Sequence, residues 1–117
     1  RDVVEDNTYN YDFYINTKDN NKLKIDVKTK TTGVKPLDYY ECSVAEYNTK
    51  QKCDVYVFTR INYSLKKIWL LGWLPKQDYF NESTFLKKGT VDEDNGYKVK
   101  ASCYNLKIDK LNLMENL

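Results

Sequence analysis

Residues 9–30 read YNYDFYINTKDNNKLKIDVKTK, and the fold turns on this stretch. Tyr9, Tyr11, Phe13 and Ile15 alternate with polar Asn10 and Asp12. After the turn formers of residues 16–21, Leu23, Ile25, Val27 and Thr29 alternate with Lys22, Lys24, Asp26, Lys28 and Lys30. Period-two patterning on both sides of a polar loop predicts an antiparallel hairpin with one dry face. Setting Phe13 opposite Ile25 puts Ile15 against Leu23, Tyr11 against Val27 and Asp12 against Asp26. Every apolar residue then meets an apolar partner, whereas a one-residue slip would mix the faces. The two aspartates share the polar face, their Cβ atoms about 5 Å apart. Two carboxylates that close repel by about 3 kcal/mol at an effective dielectric of about 20. A raised pKa, a flanking cation or a bound metal must offset this. Lys28, two residues from Asp26, stands on the same face, and Lys24 and Lys30 extend the stripe.

Outward from the hairpin, Thr31 to Pro36 reads as a loop, since the residue before a proline disfavours helix. Leu37, Tyr40, Val44 and Tyr47 recur at spacings of three and four, which predicts an amphipathic helix over 37–52. Cys53 to Ile61 (CDVYVFTRI) is apolar on both faces and predicts a central strand covered from both sides. Lys67 to Leu74 (KIWLLGWL) predicts its neighbour, and Pro75 opens a short helix to about Phe80. Residues 86–96 read as a surface loop and 97–108 as a further strand, broken near Tyr104. Asp109 is placed to cap a last short helix carrying Leu111, Met114 and Leu117. Trp69 and Trp73, at i and i+4 of a strand, are expected on one face in the core. Asp54 is expected to cap or pair locally, and Lys50 and Lys52 to be solvated. Tyr39 and Tyr40 are open to either a groove wall or plain surface. The expectation is one α/β domain spanning 1–117.

The chain holds 117 residues with eleven Tyr, four Phe and two Trp, enough for a real core. Its longest apolar run, Ile68 to Leu71, falls far short of the roughly 20 residues of a membrane span, and no signal peptide opens the chain. A net charge of +2 neither requires nor excludes nucleic acid. Three widely spaced cysteines form neither a disulfide framework nor a CxxC metal site and read as reduced thiols in a cytoplasm. The two Asn-x-Ser sequons, at Asn62 and Asn81, read as chance in an Asn-rich chain. The chain has no histidine, so Ser-His-Asp and Cys-His catalysis and any His-based zinc site are excluded. Chemistry must rest on carboxylates, lysines or tyrosines, and a carboxylate pair points to a hard cation such as Mg²⁺.

YDFYI, followed after a loop by KIDVKTKT, resembles the PD-(D/E)XK nuclease superfamily, whose signature is an acid on one strand and acid-x-Lys on the next. Downstream, KCDVYVFTRI, KIWLLGWLPKQDYF and FLKKGTVDEDNGYKVKASCYNLKI are similar to its phage-type, Holliday-junction-resolvase-like members, so the resemblance covers nearly the whole chain. It implies a central mixed β-sheet flanked by helices and Mg²⁺-dependent cleavage of DNA, with Mn²⁺ able to substitute. By the same resemblance Asp12, Asp26 and the Val27 carbonyl hold the metal, and Lys28 serves the attacking water. Lys24, Lys30 and Lys35 contact phosphate, and the chain forms a homodimer in the cytoplasm of a bacterial host. Two departures stand out. Tyr11 precedes Asp12 where the family has Pro, and the family's leading helix is absent or truncated, with Glu5 the nearest further acid. The rival reading is a catalytically inactive nucleic-acid-binding or assembly module of the same fold.

Overall fold

The computed structural model describes residues 3–5 (as backbone), 9–92 and 96–117. The predicted hairpin forms from β2 (Phe13–Asn16) and β3 (Lys22–Thr31), with Phe13 opposite Ile25 and Ile15 opposite Leu23. At its turn Thr17 N–H donates to the Asn21 carbonyl (2.8 Å), and Asn20 takes a positive φ of 60°. Asn adopts that conformation more readily than most residues. Before β2, the short β1 (Val3–Glu5) pairs antiparallel with it, so Glu5 lies on a strand rather than on a leading helix.

Two further strands and one helix complete the elements that position the site. β5 (Val55–Asn62) runs parallel to β3, and β6 (Lys67–Pro75) returns antiparallel to it, giving a mixed sheet ordered β1-β2-β3-β5-β6. The doubly apolar reading of β5 is borne out: it lies inside the sheet with a cluster on each face. One cluster holds Ile15, Ile25, Val55 and Val57. The other gathers Cys42, Val44, Tyr56, Phe58, Leu74, Tyr79 and Leu106. α1 (Lys76–Glu82) begins directly after Pro75, as predicted, and buries Tyr79 completely. Tyr79 stacks on Phe58 (centroids 5.2 Å apart) and its hydroxyl donates to the Tyr104 carbonyl at 2.6 Å.

The predicted helix over 37–52 is not formed. In its place stand β4 (Glu41–Ala45) and a 3₁₀ turn at Glu46–Asn48. Leu37 and Tyr47, counted in the apolar stripe, are exposed, whereas Cys42 and Val44 are buried and Ser43 between them is exposed. The operative period is therefore two, and it is set by pairing with β8 (Cys103–Lys107), where Cys42 meets Leu106 and Val44 meets Tyr104. With β7 (Thr84–Leu86), these strands form a second sheet ordered β4-β8-β7. So the flanking layer is a small sheet plus α1, the one α-helix among the described residues. The α/β expectation holds only as a mixed, strand-dominated domain.

The last predicted helix resolves into 3₁₀ turns at Ile108–Lys110 and Met114–Asn116. Met114 and Leu117 pack on the Ile25 cluster and Leu111 on the other. The tryptophans do not share a face either. Register shifts between Phe58 and Thr59, so that Gly72 lies opposite Phe58 and Leu70 opposite Thr59, with Leu71 unpaired between them. The bulge reverses the alternation, setting Trp73 against Val57 and Trp69 against Arg60. Gly72, at φ 148°, permits this turn of the strand, and the C-terminal segment packs directly over it. No helix among the described residues is long and apolar enough to cross a membrane.

Candidate functional site

β3 carries the acid-x-Lys sequence through the middle of the sheet. The pleat sends Asp26 and Lys28 to the face that the second sheet and α1 cover. That face is not the solvated stripe that alternation suggests. Asp26 is only 4% exposed, beside Tyr56 on the adjacent strand. Desolvation by burial raises its pKa above the ordinary carboxylate value, and the Asp12 charge adds to this; Lys28 and Gln51 oppose it. Lys28 Nζ stands 2.7 Å from Asp26 Oδ2. The contact is an ion pair held by charge; Oδ2 takes no directed hydrogen bond among the described residues.

Gln51, in the loop between the 3₁₀ turn and β5, closes the arrangement. Its Oε1 accepts from Lys28 Nζ at 2.7 Å, while its Nε2 donates to Asp26 Oδ1 at 3.2 Å and to the Tyr9 carbonyl at 2.7 Å. Lys76 Nζ, at the start of α1, donates to the Gln51 carbonyl. Nothing in the sequence marks Gln51, because a polar residue in a loop carries no period; only the chain path brings it to β3.

Asp12 sits where the hairpin ladder stops. Its N–H donates to the Ile25 carbonyl (3.0 Å), and its Oδ2 accepts from the Val27 N–H at 2.7 Å. The side chain thus takes the hydrogen bond that a continuing β2 would have taken. Beyond it, Tyr11 leaves the dry face and packs on the Tyr56 cluster rather than against Val27. The predicted Tyr11–Val27 pairing therefore fails, although the register from Phe13 onward holds. A strand residue's N–H and C=O point to the same edge, so the Val27 carbonyl faces the edge where Asp12 stands. Asp12 is exposed, and its other carboxylate oxygen makes no hydrogen bond among the described residues.

Of the lysines expected to meet phosphate, Lys24 lies over the Tyr11 ring (5.6 Å) and Lys30 is exposed at the far end of β3. Lys35 is exposed in the loop that follows, apart from the Asp26 network. The expected local pairing of Asp54 gives way to a bond across strands: its Oδ2 accepts from the N–H of Lys24, 30 residues away on β3, at 2.9 Å. Lys50 and Lys52 are exposed. Cys42, Cys53 and Cys103 are unbridged, and burial pushes the Cys42 thiol up to about 12.

The donor set is two carboxylates and one backbone carbonyl, all hard oxygens of the kind Mg²⁺ takes. Asp26 Oδ2 is buried and already faces one cation, the Lys28 ammonium at 2.7 Å, so a metal there would share or replace that pairing. Among the described residues no three His, Cys, Asp or Glu side chains gather as a metal cluster. Comparison with protein-family models, with curated proteins and with solved structures finds no match to any of them.

Proposed function

We propose that the chain is a metal-dependent deoxyribonuclease of the PD-(D/E)XK type, hydrolysing phosphodiester bonds at Asp12, Asp26 and Lys28. The observation that carries this reading is the Asp26–Lys28 ion pair, buried in mid-sheet beside a second aspartate at the frayed end of the hairpin. Burying a carboxylate and an ammonium costs several kcal/mol for each ion. An apolar pair would satisfy the fold as well, so their presence points to chemistry.

Asp12, Asp26 and the Val27 carbonyl would hold Mg²⁺, or Mn²⁺ in its place. Bound there, the ion offsets negative charge developing on phosphate and acidifies water. Asp12 keeps its orientation through the Val27 N–H, which leaves one oxygen directed outward. Asp26 is fixed by Gln51 Nε2 at one oxygen, leaving Oδ2 for a cation, whether the Lys28 ammonium or a metal. With a metal at Oδ2, Lys28 would still have Gln51 Oε1 as an acceptor and would orient water or stabilise phosphate charge. Gln51 is a positioning residue for both.

The rival module reading draws on the same network, because Lys28 and Gln51 neutralise and hold Asp26 without any metal. Two measurements separate the readings. Linear, nicked and branched DNA incubated in Mg²⁺ should be cleaved by the native chain, with Asp26→Ala and Lys28→Ala each at least about a hundredfold slower. Equal cleavage by native and variant proteins overturns the proposal. Thermal melting should rise with Mg²⁺ in the native chain and stay flat in Asp26→Asn; a binding module shows no such difference.

A further inference from the structure

One charged group lies outside the Asp26 network and is not explained by the fold. Arg60, on β5 opposite Lys30, is only 6% exposed. A guanidinium carries five N–H donors, yet among the described residues Arg60 makes a single hydrogen bond, Nη2 to the Glu41 carbonyl at 2.8 Å. Its other neighbour is the face of Tyr40, 5.3 Å away. No carboxylate pairs with it among the described residues, and a guanidinium buried without a counter-charge is costly.

Arg60 is not sealed in. It lines a cleft of about 800 Å³ between the main sheet and the second sheet, with Lys30, Lys100 and Lys107 also in its walls and exposed Tyr39 and Tyr97 beside them. Against these four cations the lining holds two carboxylates among the described residues, Glu41 and Asp92. The Glu41 carboxylate already accepts from Asn105 Nδ2 at 2.8 Å. A smaller cavity that shares Lys30, Glu41, Ser43 and Arg60 with this cleft is also lined by Lys28. The two cavities therefore adjoin along β3, on the face that carries Lys28. Lys30 is four residues along β3 from Asp26, about 13 Å at strand rise, and Arg60 is on the next strand.

We propose that Arg60 and Lys30 form a phosphate subsite that engages a single-stranded segment of the substrate a few nucleotides from the scissile bond, with Tyr39 and Tyr97 stacking its unpaired bases. The proposal rests on the nuclease reading for the position of the scissile bond. Phosphate supplies the anion that Arg60 lacks, with oxygens placed for its forked donors. To reach a guanidinium so deeply set, a backbone must descend between two walls. An unpaired strand does this and leaves free base faces for tyrosine rings, whereas paired bases offer none. The preferred substrate is thus DNA with an unpaired arm, flap or gap.

The test is fluorescence anisotropy of fluorescein-labelled dT15 and of a 15-base-pair duplex in EDTA, so that binding is read without cleavage. The native chain should bind dT15 at least about tenfold more tightly than the duplex. Tyr39→Ala/Tyr97→Ala, an exposed pair, should weaken dT15 by about ten- to a hundredfold and leave the duplex unchanged. Lys30→Gln should lower the salt slope for dT15 by about 0.7. Arg60→Gln should weaken dT15 comparably; if it does not fold, the tyrosine and lysine variants decide. Equal affinity for the two probes, no binding of dT15, or unchanged dT15 binding by the tyrosine variant each overturns the subsite. Cleavage in Mg²⁺ of the same 15-base-pair duplex carrying a dT15 arm keeps the two readings apart. Selective binding without cleavage removes the nuclease reading and sustains the subsite; cleavage with unchanged binding by the tyrosine variant removes the subsite alone.

Discussion

Lys28 Nζ stands 2.7 Å from Asp26 Oδ2, and both groups belong to one strand, two residues apart on one face. Side-chain exposure is 17% for the lysine and 6% for the aspartate, so the pair is held largely away from water. The balance is uneven, because burial outweighs the ammonium and leaves Asp26 with a raised pKa. Such a carboxylate has more to gain from a divalent ion than a solvated one.

The pH dependence of stability follows from that shift. A carboxyl whose folded pKa is raised binds its proton more tightly in the folded state. Its contribution is full below the unfolded value of 3.8 and is lost as pH rises through the folded pKa. Asp26→Asn cannot ionise and escapes this loss. The difference in melting temperature, variant minus native, should therefore grow between pH 4 and pH 7 without metal. A constant difference across that range would show that burial does not perturb Asp26.

Removing Lys28 tests the pair from the other side. Lys28→Met strands the Asp26 charge and leaves Gln51 Oε1 without its donor. The expected cost is about 3 kcal/mol at neutral pH, at the lower end for broken buried pairs because Lys28 reaches solvent. Adding Asp26→Asn should recover most of it in urea denaturation, the mark of coupled residues.

Gln51→Ala deletes side-chain hydrogen bonds to Lys28, Asp26 and the Tyr9 carbonyl. Stability should fall by about 2 kcal/mol. Under the proposed nuclease reading, a positioning role adds a slower turnover at unchanged KM; equal losses in kcat and stability-corrected binding would argue for a merely structural glutamine.

Gly72→Ala probes the bulge. A Cβ there would stand 2.5 Å from the Asn112 carbonyl oxygen and 2.7 Å from Leu111 Cβ, at a φ that side chains rarely adopt. The C-terminal segment must shift, releasing the paired Trp73 and Asn112 hydrogen bonds (3.0 and 2.9 Å) and the Trp73 Nε1 bond to the Leu113 carbonyl at 3.0 Å. A loss of about 2–3 kcal/mol is expected, with faster proteolysis after residue 110 as the readout.

Local pattern sufficed for the hairpin, for β5 and β6, and for the helix after Pro75. Each rests on alternation, on a doubly apolar run or on a proline whose preference is intrinsic. By itself the sequence also determined that Asp26 and Lys28 share a face, since the pleat requires it. Tertiary structure decided the rest. Residues 41–45 became a strand because β8 offers partners for Cys42 and Val44, which outweighs a three-and-four spacing that left Leu37 and Tyr47 exposed. Trp69 and Trp73 parted because a bulge at Leu71 accommodates the C-terminal segment. The stripe expected to face water was covered by the second sheet, which turned a surface charge pair into a buried one. Gln51 came to it from a loop that no local period connects to β3. Strand pairing across distant segments sets which face is dry, and that is decided only when the whole chain has closed.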